Sequence, residues 1–176
     1  MKSFVLAAAL TLPLGALSMA MAAGNGNGSA PSKPKCEKGL VYDKKTKTCV
    51  NAQESNLDID TLYETVRSLA YAGRYDDAQT VLAAMPQDDD RTLTYLGFTN
   101  RKMGNTDLAM AYYATAIDTN PANVLARSYM GQGLVEMGNI PAAIKELHAI
   151  RAHGGSGTWA EASLAKAIAT GTTYNY

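Results

Sequence analysis

Sorted into apolar and polar positions, the chain divides into two unlike parts. Residues 4–17 form an apolar run broken only by Ser/Thr, Pro and Gly. The later part is rich in alanine and poor in β-branched runs, a composition that predicts packed helices. Here the pattern repeats. With Gly104 placed beside Gly138, 34 residues on, Leu96-Gly97 lies over Met130-Gly131, Ala109 over Ala143, Tyr113 over Leu147 and Ala116 over Ile150. An earlier unit aligns on Gly73, with Leu69, Tyr75, Ala78, Leu82 and Met85 in matching places; its connector, 86–90, is three residues shorter.

Self-similarity at this period predicts stacked helical pairs, each leaving an apolar face for the next. Gly97 and Gly131 remove a side chain where the two helices of a unit meet, and Ala78, Ala109 and Ala143 do so from the facing helix. Tyr113, Leu82 and Leu147 fill the space towards the neighbouring unit. Gly73, Gly104 and Gly138 follow helices and suit a left-handed cap. Pro121 and Pro141 fall near helix starts, where a missing N–H costs little. Asp88, Asp89 and Asp90 precede a helix and complement its N-terminal dipole, or face water. Trp159–Thr170 reads as a capping helix, with Thr158 at its start and Gly171 at its end. Its predicted buried stripe is Trp159, Ala162, Leu164, Ala165 and Ile168. The last five residues are left open as frayed or docked.

These units resemble the tetratricopeptide repeat family. Residues 90–123 match best, through Leu96, Gly97, Ala109, Tyr113, Ala116 and Pro121. The third unit, 124–157, keeps Met130, Gly131, Gly138, Ala143 and Leu147, with Arg127 in place of a large apolar residue. The first, 59–89, has Thr65-Val66 where Leu-Gly is expected. The resemblance implies an all-α solenoid of about three helix-turn-helix repeats plus the capping helix, spanning 57–176. It also implies a protein or peptide partner, held in a groove lined by the first helix of each repeat. The groove positions carried across are Tyr63, Arg67 and Tyr71; Thr94, Phe98, Arg101 and Lys102; and Ser128, Gln132, Val135 and Glu136. Such a patch combines aromatic area with bidentate donors, and its basic centre suits an acidic or C-terminal peptide. The lysine-and-asparagine pattern that clamps chaperone C-termini in some relatives is absent, with Tyr63 and Arg67 at two of its places.

The N-terminus changes the context. Lys2, the apolar run and the small residues of Ala20-Met21-Ala22 predict a signal peptide over 1–22, cleaved after Ala22. The run is too short to span a bilayer, so no transmembrane anchor is expected in the mature form. Export makes Cys36 and Cys49 a disulfide pair. They close a hairpin over 36–50, with strand character at Leu40-Val41-Tyr42 and a turn from Asp43. It is similar to cysteine hairpins of secreted proteins, including some carbohydrate-binding modules. Residues 23–35 read as a Gly/Asn/Ser/Pro linker.

Lysines and arginines balance aspartates and glutamates at 16 each, which gives a nucleic-acid partner no support. The balance conceals a basic arm (33–47, +4) on an acidic body (49–176, −5), a distribution suited to loose contact with an anionic envelope. Catalytic chemistry finds no purchase. His148 and His153, five apart, sit about 140° apart on a helix and cannot chelate from one face. Gly154-Gly155-Ser156-Gly157 lacks the Lys-Ser/Thr of a phosphate loop. No metal, cofactor or enzyme activity is expected. The sequence therefore predicts a non-catalytic periplasmic or secreted interaction module that binds a peptide or helix of an envelope protein. The alternative is a cell-wall or glycan-associated protein that makes contact through the Cys36–Cys49 hairpin, with the repeats as scaffold.

Overall fold

The computed structural model describes residues 35–174, so the signal peptide, its cleavage site and the linker through residue 34 lie outside the described residues. The elements are β1 (Val41–Asp43), β2 (Thr48–Val50), α1 (Ile59–Tyr71), α2 (Tyr75–Leu82), α3 (Asp90–Lys102), α4 (Thr106–Thr119), α5 (Val124–Glu136), α6 (Ile140–Ala152) and α7 (Trp159–Thr170).

The two strands pair antiparallel, Val41 with Val50 and Tyr42 with Cys49. Asp43 makes the turn: its carboxylate accepts from the Lys45 N–H at 2.8 Å and the Thr46 hydroxyl at 3.0 Å. The Cys36–Cys49 disulfide closes the hairpin. The hairpin is not a separate domain, because it belongs to the same compact unit as the helices. Val41 and Ala52 join the buried cluster that holds Val66, Ala78 and Val81. Arg74 Nη1 donates to the Cys36 carbonyl at 2.8 Å, and Gln53 Nε2 donates to the Thr80 carbonyl at 2.7 Å. At Gly39 a Cβ would meet the Thr80 side chain at 2.8 Å. The stapled segment thus covers the outer face of the first helical pair.

Six helices form three pairs, α1–α2, α3–α4 and α5–α6, and α7 packs on both α5 and α6. Contacts of α1 with α3, α3 with α5, and α5 with α7 make an inner row, with α2, α4 and α6 outside it. This is the all-α solenoid that the repeat period implied. The turn glycines 73, 104 and 138 take φ of +75°, +88° and +76°, as capping glycines do. Asp89 caps α3, accepting from the N–H groups of Arg91 and Thr92. Asp90 is half-buried: its carboxylate accepts from Asn120 at 2.7 Å and Asn123 at 2.9 Å, which ties one repeat to the next. Arg127, the residue out of family pattern, donates twice to the Pro121 carbonyl and once to Glu146.

The close approaches are as tight as the small residues allow. A Cβ on Gly97 would lie 2.5 Å from the Tyr113 ring, and one on Gly131 would lie 2.6 Å from Leu164. The second contact corrects the expected stripe of α7. Seating Leu164 over Gly131 sets the rotation of the helix, and its buried side is Ala160, Ser163, Leu164 and Ala167. Trp159, five positions before Leu164 and so about 140° around the helix, is 40% exposed, and Ala162 also faces out.

Candidate protein-binding groove

Along the inner row, aromatic side chains from successive helices meet edge to face or tilted. Tyr63 and Tyr71 of α1, Tyr95 and Phe98 of α3, and Tyr129 of α5 form one column, and Trp159 continues it at 6.2 Å from Tyr129. Such offset and edge-on contacts stabilise a column beyond area burial alone. The Tyr71 and Tyr95 hydroxyls share a hydrogen bond of 2.6 Å. Burial, with that bond, pushes the Tyr95 phenol far above its ordinary range, so it stays neutral.

The predicted groove residues fall into two sets. Tyr63, Arg67 and Tyr71 keep surface: the Arg67 guanidinium is exposed and stands 5.8 Å and 5.7 Å from the two tyrosine ring centroids. Phe98 does not: it is 0% exposed, packed among Tyr71, Tyr75, Tyr95 and Tyr129. Thr94, Ser128 and Val135 are likewise buried. The column accounts for Phe98, while Thr94 is held by Asn123, Ser128 lies against Ser163 of α7 at 3.1 Å, and Val135 belongs to the cluster of Leu147 and Leu164.

At the other end, Arg101, Lys102, Gln132 and Glu136 come together between α3 and α5. Arg101 is 5% exposed, and its Nη1 donates to Glu136 Oε1 at 2.6 Å. Its Nε and Nη2 are buried beside the Tyr113 hydroxyl without reaching hydrogen-bond geometry. Burial, then the charge of Arg101, push Lys102 down to about 8 against the pull of Glu136. Burial alone would raise the Glu136 carboxyl, but the Thr173 hydroxyl, Arg101 and Lys102 outweigh it and hold it below its ordinary value. Within the basic centre that the sequence suggested, Glu136 compensates Arg101.

One occupant of this surface is the chain itself. Beyond α7, the Tyr174 N–H donates to Gln132 Oε1 at 2.9 Å, and the Thr173 hydroxyl donates to Glu136 Oε1 at 2.5 Å. The Tyr174 ring lies 4.8 Å from Lys166 Nζ. The tail is therefore docked at residues 173 and 174.

A tetratricopeptide repeat family model matches residues 101–167, from the end of α3 into α7. Over that stretch the chain is similar to tetratricopeptide repeats. Neither a curated protein nor a solved structure matches it. The matched stretch holds the tetratricopeptide positions Gly104, Ala109, Tyr113, Gly131, Gly138 and Ala143, while the divergent first repeat lies before it. Among the described residues, no group of three or more His, Cys, Asp or Glu is placed to hold a metal, and no helix is long and apolar enough to cross a membrane. Sequence reasoning missed Tyr95 and Tyr129, the centre of the aromatic column. Their signal was present, since they stand 34 residues apart at one position of the tetratricopeptide register. It also missed Thr173, Tyr174 and Lys166, which no repeat position marks.

Proposed function

We propose that this protein is an exported, non-catalytic interaction module whose inner helical row binds an extended segment or helix of an envelope protein. The observation that carries the reading is the docked tail: Gln132 and Glu136 already hold two residues of non-helical chain, Thr173 and Tyr174, through a backbone N–H and a hydroxyl. Arg67 and Trp159, exposed at the two ends of the aromatic column, add the residue types that dominate binding hot spots. The N-terminal apolar run and the Cys36–Cys49 disulfide support an oxidising, extracytoplasmic compartment. The basic arm supports association with an anionic envelope.

The test is site-specific photo-crosslinking in envelope extract, with the crosslinker at Arg67 or Trp159 on the inner row and at Leu108 or Ile144 on the outer helices. A discrete protein adduct from the inner positions alone is the expected result. Adducts from the outer positions alone, or polysaccharide retained by the hairpin segment in place of any protein adduct, would remove the groove reading. N-terminal sequencing of the exported form should begin at Ala23.

A further inference from the structure

We propose that the C-terminal tail is a removable intramolecular ligand of the groove, so that a partner gains the α5–α7 end only by displacing residues 172–174. The inference rests on the groove reading above and adds its regulation and the chemistry of the segment that competes.

The tail is aimed by the fold. Gly171 ends α7 at φ +70°, a left-handed turn that takes the chain off the helix axis. The Thr172 N–H then donates back to the Thr170 hydroxyl at 3.2 Å, and the next two residues reach α5. The receiving site is built for backbone. Gln132 is 0% exposed with the tail in place; its carbonyl oxygen accepts from the tail, and its Nε2 donates to the Ser128 hydroxyl at 3.5 Å. A buried acceptor left unmade is costly, and the tail that lies along α5 supplies the donor for this one. Glu136, one helical turn on, takes the hydroxyl of the preceding tail residue and is itself held by Arg101. Lys166 supplies a cation to the aromatic ring that follows. The site therefore reads an extended hydroxyl–aromatic pair, of which Thr173-Tyr174 is the built-in example.

The contact is small enough to exchange. Among the described residues it comprises two hydrogen bonds and one cation–ring contact over adjacent residues, each a modest net interaction in water. What makes it effective is tethering, which holds the tail at a local concentration in the millimolar range. A partner carrying the same pair on a longer segment competes through contacts along the aromatic column that the tail does not make.

The experiment uses the oxidised mature chain and a chain ending at Gly171, with the synthetic peptide Thr-Thr-Tyr-Asn-Tyr as probe and the Gln132 side-chain amide followed by NMR titration. That readout reaches millimolar dissociation constants. The truncated chain should bind the peptide at least fivefold more tightly than the mature chain. A peptide carrying Tyr174→Pro, which lacks both the donated N–H and the ring that meets Lys166, should bind about tenfold more weakly, the loss expected for one hydrogen bond and one cation–ring contact. Equal binding by both chains, no binding by the truncated chain, or indifference to the proline each overturns the proposal. Tail-dependent dimers in sedimentation would overturn it too, by placing the tail in a second copy. Circular dichroism and melting of the truncated chain keep misfolding apart from failure. If the truncated chain ignores the peptide but still crosslinks a partner from Arg67, the plug fails and the groove stands; if it takes the peptide and no partner is crosslinked, the reverse holds.

Discussion

At the scale of single residues, the inner row shows how a repeat pattern is bent to local use. Family register places Phe98 and Arg101 in a groove, but the ring packs into an aromatic column and the guanidinium sinks beside Tyr113. Lys102 pays for the neighbouring charge. Its pKa falls to about 8 from the ordinary 10.5, because burial and Arg101 disfavour its proton. Between those values the unfolded chain binds more protons than the folded one, so this residue's contribution to stability improves as pH rises. Replacing it by methionine, Lys102→Met, should stabilise the protein at pH 7, with the advantage shrinking above pH 8 and gone once free lysine is neutral. Denaturant unfolding of both proteins at pH 7 and pH 10 checks this, and a gap that does not change with pH counts against it. The position of Lys102 after Arg101 is plain in the sequence; that burial would act on it is not, because burial depends on which side of α3 meets α5.

At the scale of elements, the hairpin and α7 do the same job at opposite ends. A helical pair in a solenoid presents an apolar face that needs cover. On one side Val41 and Ala52 supply it, held by the disulfide and by Arg74 on the Cys36 carbonyl. The hairpin was legible as a stapled unit from two cysteines and a turn, but its use as a cap was not. That role depends on Gly39 lying against Thr80, a contact between residues far apart in the chain. Removing the staple with Cys36→Ser and Cys49→Ser should lower stability by up to about 3 kcal/mol on the chain-entropy estimate. The loss should show first as faster amide exchange in β1, β2 and α2, with α5 to α7 unaffected. Uniform exchange along the chain would mean that the hairpin does not cap locally.

At the scale of the whole molecule, three repeats and two caps make a short solenoid whose stability is nearest-neighbour in character. Ending the chain before Thr158 removes Leu164 and Ala167 from the cluster that also holds Val135, Leu147 and Ile150. That truncation should cost about 3 kcal/mol or more of unfolding free energy, from the area uncovered, and should produce dye-binding, self-associating protein; a monomer of unchanged stability would show that α7 is dispensable. The architecture itself was determined by sequence alone. A 34-residue period, with glycines at the turns and small residues at the crossings, admits few packings other than stacked helical pairs, because each small position is a steric demand for a neighbour's backbone. Which surfaces those pairs expose was decided only in three dimensions. Burial of Phe98, the rotation of α7 over Gly131, the pairing of Arg101 with Glu136 and the docking of Thr173-Tyr174 on α5 all depend on side chains from different repeats meeting. A periodic pattern records what each repeat has in common with the next, and these contacts arise where the repeats differ.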